Sequence, residues 1–495
     1  MKTFDIKQLN TLFNPKSVAA VGATGTFGKW GFNIFSLLLE KRVNGVKVYP
    51  VNPSLTEVHG VKCYKNVVDI PEQVELAVIT VPAAHVLQVM RDCVKKGIKL
   101  AVVITAGFAE LGAEGAEIQK EIVEVARGGG LRFIGPNTMG YFSTASDFNT
   151  CVFFNNMGKK GRVGFISQSG NIGAYVLVRG IEGGLGFSKF IGTGNEADVT
   201  LEDCLEYLGQ DEETKVIILY MEGLRQGRRF FELAREITRK KPIVALKVGR
   251  TAAGMKAAQS HTSALSGSDV VYDAMYKQCG EIRVDKVNEL FTTAVALVQQ
   301  PLMKGNRVAV LTLGGGFGVL VTDILEKAGL EMASLSQHTL DRLDAILPPF
   351  WSHGNPVDMV ASGAHAYSCL EALIDDENVD AVYYLAVTAG NLQMSDNRLK
   401  DIPITERAKA KLAIEEYARQ EAEGIDMIRA HVNKYQKPVV FCPTTPSGQL
   451  WESASYQKLR DSNIWVYSLP EVGAMAIARL ARYGEYRRSC ESQDL

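Results

Sequence analysis

The chain has 495 residues, 46% of them hydrophobic and 22% charged, ordinary values for a globular protein with room for about three domains of ~150 residues. A net charge of −1 gives no electrostatic reason to expect nucleic acid or an anionic membrane as partner. No apolar run approaches the ~20 residues of a membrane helix. The eight cysteines and seven histidines are scattered and no CxxC pair occurs, so neither a disulfide framework nor a metal motif is visible. The first residues, Met1 to Asp5, lack a signal-peptide pattern, and the expectation is a soluble cytoplasmic protein with reduced thiols.

The first segment, residues 1–147, alternates apolar runs with helical patterns. Strands are predicted at Ser17–Val21, Lys47–Val51, Leu76–Val81, Leu100–Thr105 and Arg132–Ile134, and helices at Trp30–Glu40, His85–Lys96 and Glu114–Arg127. Near-continuous hydrophobicity in strands separated by helices indicates a parallel sheet covered on both faces. Between the first strand and its helix lies Gly22-Ala23-Thr24-Gly25-Thr26-Phe27-Gly28, a turn that lets a backbone approach a phosphate at a helix N-terminus. By itself such a turn can be no more than a tight βα connection. The second strand ends in Asn52-Pro53, where an NAD enzyme would carry a ribose-binding acid, so NAD is disfavoured. Further turns at strand ends are Val81-Pro82-Ala83, Thr105-Ala106-Gly107 and Gly135-Pro136-Asn137. In strand order, the four turns fit a crevice for an extended ligand.

The second segment, residues 148–300, restarts the pattern with strands at Arg162–Ile166, Lys189–Ile191, Val216–Tyr220 and Pro242–Val248. Ser167-Gln168-Ser169-Gly170-Asn171-Ile172-Gly173 follows the first of these and opens a helix; it lacks the first glycine of a serine-hydrolase elbow. Glu222 stands at a strand end, where a carboxylate could equally pair with Arg225 or Arg228. His261 sits in Gln259-Ser260-His261-Thr262-Ser263, a small-residue stretch that suits a loop presenting an imidazole. Taken alone, such a histidine reads as an ordinary loop residue. Gln299 to Gly305 looks like a linker.

The third segment, residues 301–495, has strands predicted at Arg307–Leu313, Glu331–Ser334, Ala381–Ala386, Pro438–Phe441 and Trp465–Tyr467. Residues 391–434 are highly charged and helix-forming and read as inserted surface helices, and Ser489–Leu495 as a polar tail. The fold class is α/β, three doubly wound domains, Rossmann-like first and flavodoxin-like in the two that follow.

In combination, Gly22–Gly31, Asn52-Pro53, Val81-Pro82, Gly135-Pro136-Asn137, Ser167–Gly170, Gly194–Asp198, Ser260-His261-Thr262, Gly314–Gly318 and Asn355–Asp358 resemble the α subunit of nucleoside-diphosphate-forming acyl-CoA synthetases. The resemblance covers nearly the whole chain. It implies that the first domain binds CoA through Thr24, Gly25, Thr26, Phe27, Gly28, Asn52, Val81, Pro82, Thr105 and Gly107, with Asn137 beside them. It implies that His261 is the phosphorylated histidine, that Glu222 orients it, and that Ser167, Gln168, Ser169 and Gly170 hold the phosphoryl group. It further implies ADP/ATP with Mg²⁺, bound mainly by a separate ATP-grasp β subunit in an α₂β₂ assembly. Ser263 departs from the glycine many relatives carry after His-Thr. A CoA-binding regulatory protein without turnover is the alternative, and it would make no use of His261.

Overall fold

The structure is a computed structural model that describes residues 6–40, 45–151, 156–256, 268–360, 365–385, 403–443, 454–462 and 464–493. It contains two compact units, Met1–Phe291 and Thr292–Leu495. The first unit holds two sheets. One is built from β1 (Ser17–Val21), β2 (Lys47–Val51), β3 (Leu76–Ile79), β4 (Leu100–Val103) and β5 (Arg132–Ile134). All five are parallel, in the order β2-β1-β3-β4-β5. Every residue of β1, β3 and β4 is buried, as expected of strands with helices on both faces. Helix Ala83–Lys96 buries Val86, Met90 and Cys93, one stripe at helical spacing, against this sheet.

The second sheet contains β6 (Tyr141–Ser143), β7 (Phe148–Asn149), β8 (Lys160–Ser167), β9 (Phe187–Gly192), β10 (Val216–Met221), β11 (Ile243–Lys247) and β12 (Ile282–Arg283). Its order is β12-β11-β10-β8-β9-β6-β7. The five strands from β8 onward are parallel; the β6–β7 hairpin lies antiparallel on the β9 edge. Three features join the two sheets. The hairpin follows directly on the turn after β5. The N-terminal helical residues Ile6–Phe13 pack on the second sheet's side, where the Phe13 ring stacks on Tyr207 at 5.4 Å. Asp198, with no exposed side chain, accepts from Arg127 Nε and Arg132 Nε at 2.7 Å each and from the Phe133 N–H at 3.0 Å.

The second unit has one parallel sheet of β13 (Arg307–Thr312), β14 (Glu331–Met332), β15 (Val357–Asp358), β16 (Ala381–Leu385) and β17 (Val439–Cys442). The order is β14-β13-β16-β17, with β15 pairing the end of β13. Asn355 clamps the edge: its Nδ2 donates to Val308 and Ala333 carbonyls and its Oδ1 accepts from the Val310 N–H. Three expectations change. The stretch read as Trp465–Tyr467 contributes only a single bridge, Val466 to Phe441. The C-terminal residues read as a polar tail continue helix Pro470–Gln493 as far as that helix runs, because its buried face recurs down to Cys490. Of the charged stretch, Ile404–Tyr435 is one 32-residue helix, and its later part is core: Ile425 and Ile428 are buried. Among the described residues no helix is long and apolar enough to cross a membrane. All eight cysteines are buried and free.

Candidate active site

The strand order of the first sheet reverses direction between β1 and β3, so the turns after these strands diverge and leave a crevice between them. The glycines of the first turn are demanded by packing. Gly22 has φ +97°, and a Cβ on Gly31 would stand 2.0 Å from the Gly22 carbonyl oxygen. Asn52 closes the turn from β2: its Nδ2 donates to the Ala23 carbonyl at 2.9 Å and its Oδ1 accepts from the Ser54 N–H at 3.0 Å. A neutral amide, bonded at both ends, therefore stands where a ribose would need a carboxylate.

A cavity of about 1130 Å³ opens over these turns. Thr24, Gly28 and Asn52 line it on one side, and Val81, Pro82, Thr105 and Asn137 on the other. It continues to Gln168, Ser169 and Gly170 at the end of β8. The remaining residues expected to bind CoA stand apart from its lining. The Thr26 N–H donates to Thr24 Oγ1, Gly25 has open space around it, and Phe27 is 85% exposed. The Gly107 N–H donates to Glu110 Oε1 at 2.6 Å.

The second sheet has its own switch point between β8 and β10, and the turn after β8 ends there. Ser169 caps helix Gly170–Glu182, accepting weakly from the Ile172 N–H at 3.5 Å. The N–H groups of Gly170 and Asn171 lie in the first turn, beyond the reach of helical bonding and at the positive end of the dipole. Ser167 is buried, and its hydroxyl donates to the Ser169 carbonyl at 2.7 Å, shaping the turn. The Gln168 amide is occupied in all four directions. Nε2 donates to Glu196 Oε1 at 2.9 Å and to the Gly223 carbonyl at 2.8 Å, while Oε1 accepts from the N–H groups of Glu222 and Gly223. Glu222, 6% exposed, directly follows β10.

His261 lies outside the described residues. The chain on either side of residues 257–267 is anchored. The Val248 N–H donates to the Met221 carbonyl at 3.0 Å, so the chain leaves β11 beside Glu222. Arg250 Nε bonds Asp269 at 3.3 Å, at the start of helix Asp269–Cys279.

Three ionisable groups at this end of the sheet escape sequence reasoning. Glu196 is 5% exposed, and burial, reinforced by the nearby Glu202 carboxylate, pushes its pKa up to about 7. Glu202 is fully buried; Oε1 accepts from the N–H groups of Arg225 and Gln226, and Oε2 has no hydrogen-bond partner. Lys247 ends β11, 2% exposed, over the Tyr272 ring at 4.8 Å, and burial draws its ammonium below the ordinary lysine value. A lysine closing an apolar strand and a glutamate inside Gly194–Asp198 were the available signals. In the second unit, Glu371, Asp375 and His431 bring potential ligand atoms within 4.8 Å of one another. His431 Nε2 is 3.3 Å from Glu371, a contact between two helices.

Residues 16–143 match the CoA binding domain family and residues 160–297 the succinyl-CoA ligase like flavodoxin domain family. The α subunit of the ADP-forming acetate–CoA ligase II of Pyrococcus furiosus is 45% identical over 381 residues, 77% of this chain and 82% of that one. The ADP-forming acetate–CoA ligase II of Archaeoglobus fulgidus is 41% identical over 391 residues; the match takes in 77% of this chain but only 58% of that longer protein. Among solved structures, acetyl-coenzyme A synthetase 1 of Ca. Korarchaeum cryptofilum, in complex with phosphate and ADP, superposes with a TM-score of 0.83 at 32% identity, covering 98% of each chain.

Proposed function

The chain belongs to the family of ADP-forming acetate–CoA ligase α subunits, and from that membership we propose that it forms the CoA-binding and phosphohistidine-bearing part of an ADP-forming acyl-CoA synthetase. The observation that carries this reading is the single cavity running from the Gly22 turn to Ser169–Gly170. One extended ligand can lie with its phosphates at the first turn and its thioester at the second. The first turn suits the diphosphate of CoA, since it offers glycine backbone and a helix start. Thr24, Gly28, Asn52, Val81, Pro82, Thr105 and Asn137 would line the CoA path, with Gly25, Thr26, Phe27 and Gly107 forming its rim.

The proposed chemistry proceeds by in-line displacements. A phosphate oxygen attacks the thioester carbonyl, the C–S bond breaks, and CoA leaves as the thiol, giving an acyl phosphate. His261 Nε2 then attacks phosphorus, the P–O bond to the acyl oxygen breaks, and the carboxylate leaves. Finally a β-phosphate oxygen of ADP takes the phosphoryl group from the imidazole, giving ATP. The N–H groups of Gly170 and Asn171 would hold the dianionic phosphoryl group, an electrostatic contribution of roughly 0.3–2 kcal/mol from the dipole. Glu222 would accept the Nδ1–H of His261 and leave Nε2 free. The Ser169–Asn171 turn supplies donors to an anion and no carboxylate for Mg²⁺. Nucleotide with its Mg²⁺ is therefore proposed to arrive on an ATP-grasp β subunit, in an α₂β₂ assembly.

In this reading the acyl-CoA is substrate, nucleic acid and membrane have no part, and the intact turn, network and histidine speak against a regulator without turnover. The test is labelling with radioactive ATP in the presence of the native partner, recovered by co-purification. Wild type should carry acid-labile phosphate, and His261→Asn none. Full labelling of His261→Asn, or ADP-dependent turnover by this chain alone, would refute the scheme.

A further inference from the structure

We propose that Glu196 is a positioning residue for phosphoryl transfer: it holds the Gln168 amide, and Gln168 holds the backbone of Glu222. The inference rests on the reading of Glu222 and His261 given above.

Gln168 ties the turn after β8 to the turn after β10. Two of its four bonds fix the N–H groups that begin the Glu222–Gly223 turn, so a displaced Gln168 side chain would release the residue proposed to orient His261. Gly223 alone engages both ends of the amide, which sets which end faces it. Glu196 supplies the remaining bond and so ties the side chain, which lines the cavity, to the segment after β9. Thr193 Oγ1 donates to the same Glu196 oxygen at 2.9 Å, so that oxygen is an acceptor with two fixed donors.

The chain bears a backbone penalty to put a carboxyl here. Glu196 has φ +53°, a region side-chain-bearing residues seldom occupy, and it is almost wholly enclosed. It is also enclosed beside like charge. Glu202 and the Cys204 thiol face it from helix Leu201–Gln210, and Arg225 from the loop after β10. Burial and Glu202 favour the neutral acid, while Gln168, Thr193 and Arg225 favour the carboxylate. Ionised, Glu196 accepts more strongly from Gln168. The Glu222 turn is therefore held more firmly as the pH rises through about 7, the value to which Glu196 is pushed.

The full chain can be tested without its partner, with labelled acetyl phosphate as phosphoryl donor. The imidazole N–P bond forms as the P–O bond to acetate breaks. In Glu196→Ala the single-turnover labelling rate should fall about tenfold or more at saturating acetyl phosphate. CoA affinity should stay within about twofold of wild type, and amide hydrogen exchange at Glu222 and Gly223 should quicken. Glu196→Gln keeps a neutral acceptor for Gln168; it should recover most of the rate at pH 7 and flatten the pH dependence between 6 and 8. Wild-type labelling and exchange in Glu196→Ala would overturn the proposal, as would a parallel loss of CoA binding, which marks a merely structural role. Failure of wild type itself to label at His261 with either acetyl phosphate or ATP and the partner would remove the functional reading and this inference with it, whereas labelled wild type with an indifferent Glu196→Ala removes the inference alone.

Discussion

Glu281 shows what a single buried carboxyl does when nothing answers it. It is 2% exposed, and neither side-chain oxygen meets a hydrogen-bond donor. Burial pushes its pKa well above the usual carboxylate range, which favours the neutral acid in the folded protein. Because the folded value is raised, the associated stability is present below the unfolded carboxylate pKa of about 4.3 and is lost as the pH climbs toward the folded value. Glu281→Met should therefore stabilise the chain, by about 1–3 kcal/mol at pH 8 and by less at pH 5. Urea unfolding at both pH values checks this; an equal gain at each would show that the ionisation of Glu281 is irrelevant. The contrast with Glu196 is instructive. That carboxyl is as deeply enclosed, but its two donors and Arg225 hold its pKa near neutrality.

At the scale of elements, the long helix Ile404–Tyr435 has a glycine at a place where helix propensity and packing disagree. Propensity alone says that Gly424→Ala gains about 1 kcal/mol. A Cβ at Gly424, however, would lie 2.3 Å from the Tyr367 ring, on helix Ala366–Asp375. The substitution should instead cost about 1–3 kcal/mol, and a higher melting temperature for Gly424→Ala would contradict the packing. The sequence could not disclose this, since exposed charges such as Glu406, Lys409, Glu416, Arg419 and Glu423 dominate the pattern and hide the part of the helix that is core. The parallel strands were legible for the opposite reason: covered on both faces, β1, β3, β4, β10 and β11 are nearly pure apolar runs. The hairpin Tyr141–Asn149 was not, because its Ser-Thr-Ala-Ser-Asp centre reads as loop and its pairing to β9 is non-local. The turns of the proposed site could be read from glycines and a capping serine, which act locally. The clamp of Gln168 could not, because it exists only where two strand ends meet and its partners are 28 and 55 residues away.

At the scale of the whole molecule, the first unit depends on one buried anion. Asp198 gathers Arg132 and the Phe133 N–H of β5, and Arg127 of the preceding helix, onto the segment after β9. Asp198→Ala leaves those donors facing each other and should cost about 3 kcal/mol, the low end for a broken buried pair, because Arg127 is 45% exposed. If the two sheets unfold together, the loss will appear as one shifted transition in chemical denaturation; an unchanged midpoint would show that Asp198 contributes nothing. The placement of Ile6–Phe13 has a further consequence, in the chronology of synthesis. The first sheet is complete once β5 has left the ribosome, but Tyr207, on which Phe13 stacks, follows about seventy residues later. At about 5–20 residues per second, that is a wait of roughly 4–15 s. Through it Leu9, Leu12 and Phe13, all buried in the finished chain, have only part of their landing surface: Tyr141, which meets the Phe13 ring edge-on at 5.5 Å, is made just after β5. The first residues to be made thus wait on later ones for their full packing, and the newborn chain is open to a chaperone in that interval.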